Sequence, residues 1–201
     1  MSIIDANIKT STDPRQFFQT LPEQVEALVW FLRLKGKEGC SFVDILDAGS
    51  GKNVISNTLK KHGFNVTTID KYFPAYIEDD FLTHEFKTLF NAVVSNPPYK
   101  GSEKYDFIEK ALTISTDCFF LLPLQNLNYI EFCEYIDKKE EYMGRLTLYP
   151  KVILNPAGKL IQGGNTGYGW FWFSCLKRDG YPFEIFVDTR KYRDQLNITS
   201  V

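Results

Sequence analysis

A β-branched apolar run that stops in two prolines constrains this chain more than any other feature. Val93-Val94-Ser95 continues directly into Asn96-Pro97-Pro98-Tyr99. Proline donates nothing to a sheet ladder, so two in succession end a strand at once. The residue ahead of a proline is pushed to extended geometry, which holds Asn96 stretched at the strand's C-terminal edge. Open α/β sheets bind their ligands at that edge. The stop therefore offers a cleft a rigid amide, a carbonyl without a ladder partner, and an aromatic ring.

A second strand-to-turn junction lies upstream. Phe42 to Ala48 has the pattern of a strand and runs into Asp47-Ala48-Gly49-Ser50-Gly51-Lys52-Asn53. Glycine permits a tight turn and a close approach of backbone to ligand. Asn53 stands where a third glycine would complete the usual pattern, and asparagine tolerates positive φ better than most residues. A helix from about Asn53 to His62 then aims its N-terminus at the cleft. This is not a phosphate P-loop, because no glycine precedes Lys52 at the required spacing. Asn65 to Ile69 is the next strand. Asp70 closes it 21 residues after Gly49 (70 − 49), where an acid can bind ribose hydroxyls.

Around these junctions strands and helices alternate. Glu23 to Lys35 is an amphipathic helix with Val25, Leu28, Val29 and Leu32 on one face, ended by Gly36 and Gly39. Phe90 to Ser95 is the strand that carries the proline stop. A polar, glycine-containing segment, Lys100 to Glu103, follows and can move over a substrate. Then come a helix to Thr113, a buried strand from Asp117 to Leu122, and a helix from Ile130 to about Glu140. Beyond it the alternation changes. Arg145 to Leu154 is a strand interrupted by Pro150, Asn155 to Gly169 a loop, Tyr168 to Cys175 a dense aromatic strand, and Phe183 to Val187 a short strand. Period-two alternation puts Trp170 and Trp172 on one face, Phe171 and Phe173 on the other. The expectation is one α/β domain over residues 1–201, with residues 1–13 flexible.

Charge and cysteine usage narrow the field. With a formal net charge of -2, no global basic field marks the chain for nucleic acid, though a local basic face stays open. Arg190-Lys191-Tyr192-Arg193 is one such cluster. Cys40, Cys118, Cys133 and Cys175 form no C-x-x-C pair and read as thiols of a reducing compartment. His62 and His84 are isolated, so no metal site is expected. No signal peptide and no apolar run of about 18 residues is present, so a soluble, intracellular protein is expected.

Asn96-Pro97-Pro98-Tyr99 resembles the signature of amino-methyltransferases, which methylate an exocyclic or side-chain amine with S-adenosylmethionine. The amine of adenine is conjugated with its ring and is a poor nucleophile. An amide oxygen and a backbone carbonyl can each accept one of its hydrogens, and Tyr99 offers a face for stacking. Phe17-Phe18-Gln19-Thr20-Leu21-Pro22 resembles the family's N-terminal motif, which implies contacts from Phe18 and Thr20 to the methionine end of the cofactor. Thr20 or a neighbour can also cap the helix that follows. Asp47, Gly49 and Gly51 resemble its cofactor loop. Asp70 is the expected ribose ligand, and one of Lys71, Tyr72 and Phe73 is expected to flank the adenine, Lys71 being counted with the cofactor residues. Asp80-Phe81-Leu82 resembles the adenine-contacting segment, with Asp80 preferred to Asp79. The aromatic strand is similar to the family's Tyr/Trp-x-x-Phe strand, from which one ring, Phe173 or Trp170, meets the substrate.

These six elements occur once each, in the family's order, over about residues 15 to 175. The whole resembles the small adenine-specific DNA methyltransferases of phages and bacteria. That implies a Rossmann-like class I methyltransferase fold: a mostly parallel seven-stranded sheet with an antiparallel C-terminal strand pair and helices on both faces. It further implies S-adenosylmethionine as cofactor, with Asn96 touching it as well as the substrate, and the N6 amine of adenine in DNA as acceptor. Asn96, Pro97, Pro98 and Tyr99 form the catalytic group, with no metal and no membrane, in the cytoplasm of a bacterium or an infected host. No stretch of about 80 residues is spare for a separate target-recognition domain. Adenine in RNA or a protein glutamine amide can use the same tetrapeptide. A non-catalytic nucleotide-binding or interaction protein is the reading from a different class.

Overall fold

The computed structural model describes residues 19–99, 101–150, 152–154, 160–162, 167–176 and 182–193. The expectations for residues 1–13, Phe18 and Lys100, and for most of the loop 155–169, lie outside the described residues. The elements in order are α1 (Pro22–Lys37), β1 (Asp44–Ala48), α2 (Val54–Lys61), β2 (Asn65–Ile69), β3 (Phe90–Ser95), α3 (Glu103–Ile114), β4 (Ser115–Pro123), α4 (Ile130–Lys138), β5 (Tyr142–Tyr149), β6 (Val152–Leu154), β7 (Leu160–Gln162), β8 (Tyr168–Ser174), β9 (Phe183–Asp188) and α5 (Arg190–Arg193). A short 3-10 helix, Leu124–Asn128, follows β4.

Seven strands form one sheet in the order β2-β1-β3-β4-β8-β5-β9, and β6 pairs with β7 in a separate hairpin. β1, β2, β3 and β4 pair in parallel. β8 is antiparallel to both β4 and β5, whereas β5 and β9 are parallel. The expected antiparallel pair is therefore one reversed strand, β8, set between strands that share a direction. Beyond β2 a parallel bridge joins Ile69 to Ile77.

Alternation along the strands divides the core into two layers. Ile45, Val94, Phe119, Trp170 and Trp172 join Val25, Leu28 and Leu32 of α1 and Ile55 and Leu59 of α2 on one face. Leu46, Val93, Phe120, Phe171 and Phe173 join Phe107, Ile108 and Ala111 of α3 and Phe132 of α4 on the other. Each buried indole N–H finds an acceptor, as burial of that group demands. Trp170 donates to Gln24 O at 2.8 Å and Trp172 to Asp117 Oδ1 at 2.8 Å. Among the described residues no helix is long and apolar enough to cross a membrane.

Two features of this sheet position a site. β1 has β2 on one side and β3 on the other, so the strand order reverses at β1 and a crevice opens over its C-terminal end. Ala48 and Ser95 are register partners there, and the Ser95 hydroxyl donates to Ala48 O at 2.6 Å. Gly49 and Asn96, the next residue of each strand, consequently leave the sheet side by side.

Candidate functional site

The turn after β1 is built from its backbone. Gly49 and Gly51 have φ of 70° and 51°, and Asn53 has φ of 61°. Asparagine thus takes the left-handed conformation that a third glycine would supply, and α2 starts one residue later, at Val54. The N–H groups of Gly49 and Ser50 donate to Ile69 O at 2.9 and 3.2 Å, and that of Asn53 to Ser50 O at 2.8 Å. Gly51 N–H donates to Asp70 Oδ2 at 2.8 Å. The other oxygen of Asp70 accepts from Tyr72 N and Phe73 N at 2.7 and 2.9 Å. Asp70 therefore stitches the turn after β1 to the turn after β2. A carboxylate has about four lone-pair sites, so about one is left for a ligand.

Asp47 plays a different part from the one expected. It is fully buried and does not line the cleft. Its Oδ2 accepts from Ser56 N at 3.0 Å, in the first turn of α2. The acid on β1 thus caps a helix whose own N-cap, Asn53, makes no side-chain cap bond. Burial pushes its carboxyl up to about 7. Of Thr20 and its neighbours, Leu21 is the N-cap of α1, which begins at Pro22, and its N–H donates to Gln24 Oε1 at 2.8 Å.

Thr20 instead turns to the proline stop. Asn96 Nδ2 donates to Thr20 Oγ1 at 2.9 Å, and the Tyr99 hydroxyl donates to Asn96 Oδ1. The Asn96 amide is held at both ends, with its oxygen on the Tyr99 side. Tyr99 OH also lies 3.2 Å from Leu121 O. Burial raises the Tyr99 pKa well above its usual value, so the phenol stays a neutral donor.

Thr20, Gly49, Gly51, Asp70, Lys71, Asp80, Phe81 and Asn96 all line one cleft, with Pro98 beside them. Asp80 Oδ2 pairs with Lys71 Nζ at 2.8 Å, and its Oδ1 accepts from Leu82 N at 3.0 Å. The hydrogen bond to Asp80 raises the Lys71 pKa. Asp79 does not line the cleft; it holds His84 Nδ1 at 2.8 Å. Phe81 is 3% exposed and rests against Phe107, ring centroids 4.9 Å apart. The enclosed part of the cleft is about 90 Å³, against roughly 300–1,000 Å³ for ligand pockets. Both members of the Lys71–Asp80 pair belong to its lining.

The aromatic strand corrects the expected substrate residues. Trp170 and Phe173 have no exposed surface, and neither lines the cleft. The Trp170 indole is fixed to Gln24 O, and Phe173 packs between Phe120 and Tyr142. The ring this strand brings to the proline stop is Tyr168, 6.3 Å from Tyr99 between centroids. Its pKa is pushed up to about 12 by burial. Because β8 runs against its neighbours, its first residue, not its middle, reaches the edge where Asn96 stands, and Tyr168 pairs with Pro123 at the end of β4. Strand direction is the signal that locates Tyr168. Pro97 is buried, and neither it nor Tyr99 lines the cleft. Among the described residues no three His, Cys, Asp or Glu side chains converge on one point.

No family model and no curated protein matches the chain. Solved structures do. A Pyrococcus horikoshii protein provisionally named an RNA methyltransferase has a TM-score of 0.56 at 18% identity, over 89% of this chain and 99% of its own. A SAM-dependent O-methyltransferase from Thermotoga maritima has a TM-score of 0.54 at 13% identity, over 89% and 73%. The magnesium protoporphyrin IX methyltransferase of Synechocystis, with bound SAM, has a TM-score of 0.50 at 11% identity, over 86% and 94%. The fold is that of the Rossmann-like class I methyltransferases. At these identities the likeness extends to the fold, so the chemistry of the cleft rests on its own residues.

Proposed function

We propose that this chain transfers a methyl group from S-adenosylmethionine to the N6 amine of adenine in DNA. One observation carries the proposal: the Asn96 amide, held by Thr20 and Tyr99, shares a cleft with Gly49, Asp70 and Asp80. The glycine turn supports the choice of cofactor. Dinucleotides place a pyrophosphate on free N–H groups of such a turn. Here the N–H groups of Gly49, Ser50, Gly51 and Asn53 all donate within the protein. S-adenosylmethionine carries ribose and adenine but no phosphate.

Bound there, the cofactor supplies an electrophilic methyl group on a sulfonium. Asp70 offers its remaining lone pair to the ribose hydroxyls, and Asp80 accepts from the adenine amine once Lys71 yields. The Asn96 oxygen, which has two lone pairs, accepts one hydrogen of the substrate amine while keeping Tyr99. The Pro97 carbonyl accepts the other. Both dipoles are fixed before the reaction and would stabilise the positive charge that grows on the amine nitrogen as its bond to the methyl carbon forms and the carbon–sulfur bond breaks. The nitrogen then releases one proton to solvent and the neutral thioether leaves. Tyr99 stacks on the extruded base, with Tyr168 beside it; stacking contributes about 1–3 kcal/mol per base.

The provisional name of the Pyrococcus protein favours RNA as a second acceptor. One experiment decides among acceptors. The chain is incubated with methyl-labelled cofactor and, separately, with DNA, RNA and protein extract. Label is expected in DNA as N6-methyladenine and absent with Asn96→Ala. Label in RNA or protein would reassign the acceptor, and label in none would overturn the proposal.

A further inference from the structure

A second cavity, of about 350 Å³, lies between α1, α2 and α5, on the outer side of the helices that cover one face of the sheet. Trp30, Arg33 and Lys37 from α1, His62 from the end of α2, and Tyr192 from α5 line it, with Glu26 at its base. We propose that it binds single-stranded nucleic acid, seating a base on Trp30 and neighbouring phosphates on Arg33, Lys37 and Lys191.

Four observations combine. Trp30 is 37% exposed, whereas Trp170 and Trp172 are 0% and 1% exposed, so this is the indole at the surface. The Lys191 ammonium stands over it at 5.2 Å from the ring centroid. A base arriving on Trp30 displaces that ammonium and leaves it beside the phosphates, as stacking platforms for single strands do. The acid at the cavity base is screened. Arg33 NH2 lies 3.1 Å from His62 Nδ1, and His62 Nε2 lies 2.7 Å from Glu26 Oε2. A guanidinium only donates, so Nδ1 is the acceptor, and the imidazole N–H at Nε2 donates to Glu26. One buried carboxylate, bound to His62, then shares the lining with Arg33 and Lys37, and Lys191 adds a third cation over Trp30, in a chain whose net charge is -2. Last, Tyr192 lines the cavity with the Lys191 ammonium 4.9 Å from its ring centroid, so that cation stands beside both rings.

The position suits a strand that also visits the cleft. Thr20 lies at the cleft end of α1 and Trp30 is ten residues further on (30 − 20), roughly 15 Å at the helical rise.

The test uses a short oligothymidylate, which contains no adenine, so its result is independent of the methyl-transfer proposal. Trp30 is the exposed one of three tryptophans, and intrinsic fluorescence therefore reports contact at this cavity. The expected result is quenching on titration, with log K falling about 0.7 per phosphate contacted for each decade of salt. Trp30→Ala lowers the affinity measured by anisotropy about tenfold, and Trp30→Tyr retains most of it. Arg33→Ala with Lys37→Ala reduces the salt slope by about 1.4. Absence of quenching overturns the proposal, as does binding that none of these substitutions alters. Equal loss with Trp30→Tyr and Trp30→Ala would mark a packing effect and overturn it too. Thymidine monophosphate binding as tightly as the oligomer would replace a strand by a free nucleotide.

Discussion

Between β1 and β2, the residues that line the cleft sit on turns. Around β4 and β8, the residues that look most suited to a substrate sit inside strands and are consumed by the core. Gly49, Gly51 and Asp70 reach the cleft because local backbone chemistry puts them there: positive φ at the glycines and N–H groups gathered by one carboxylate. Trp170 and Phe173 carry the right chemistry but have no exposed surface. A turn residue's position is set by its neighbours in sequence, whereas a strand residue's is set by what packs across it.

Substitutions can break that contrast. The largest effect is expected at the turn after β3. Asn96→Ala removes a fixed dipole at the reacting nitrogen and lowers methyl transfer about 10²–10³-fold. Cofactor affinity, measured by calorimetry, should change by much less, and retained transfer would reject the role of the amide. Next comes Asp47→Asn, which keeps an acceptor for Ser56 N–H and removes the charge. A carboxyl that rises from 3.8 to about 7 on folding binds its proton more tightly in the folded chain. Stability therefore falls as pH rises from about 4 to 7 and levels off above that, by a few kcal/mol in total. The variant should flatten this slope in denaturant titrations at several pH values; an unchanged slope would place the effect elsewhere.

Trp170→Phe tests the strand side of the contrast. Losing the bond to Gln24 O and some volume should cost about 1–3 kcal/mol in stability. Cofactor affinity and the acceptor KM should stay near wild type, whereas Tyr168→Ala should raise the acceptor KM as well as lower stability, because Tyr168 packs against the core. A smaller effect belongs to Thr20. Thr20→Val removes the bond from Asn96 Nδ2 to Thr20 Oγ1 and should lower kcat about tenfold, the worth of one hydrogen bond, while Thr20→Ser restores it. If Ser fails to rescue, the hydroxyl does not orient the amide. The smallest is Asn53→Gly, which should change stability by less than about 1 kcal/mol, since the backbone there already has φ of 61°.

Much of the fold is legible in the sequence because its signals are local. Alternation marks the strands, two prolines end β3, and glycine and asparagine shape the turn after β1. The strands and the helices between them follow from that pattern, but the shared direction of six strands and the reversal of β8 alone do not. What is not legible depends on distant partners. Asp47 looks like a ligand by spacing yet serves Ser56 N–H of α2. Choosing between Asp79 and Asp80 turns on His84 and Lys71, which claim one acid each. Tyr168 is passed over for Trp170 and Phe173 because ring size is visible in a sequence and strand direction is not. Phe18 lies outside the described residues.

The account turns on a phosphate-free ligand in the cleft between Gly49, Asp70 and Asp80. Calorimetric titration of the chain with S-adenosylmethionine tests this most directly. The prediction is saturable binding at one site, abolished in Asp70→Ala and unaffected by competing NAD. Absence of binding, or displacement of the ligand by NAD, would contradict it.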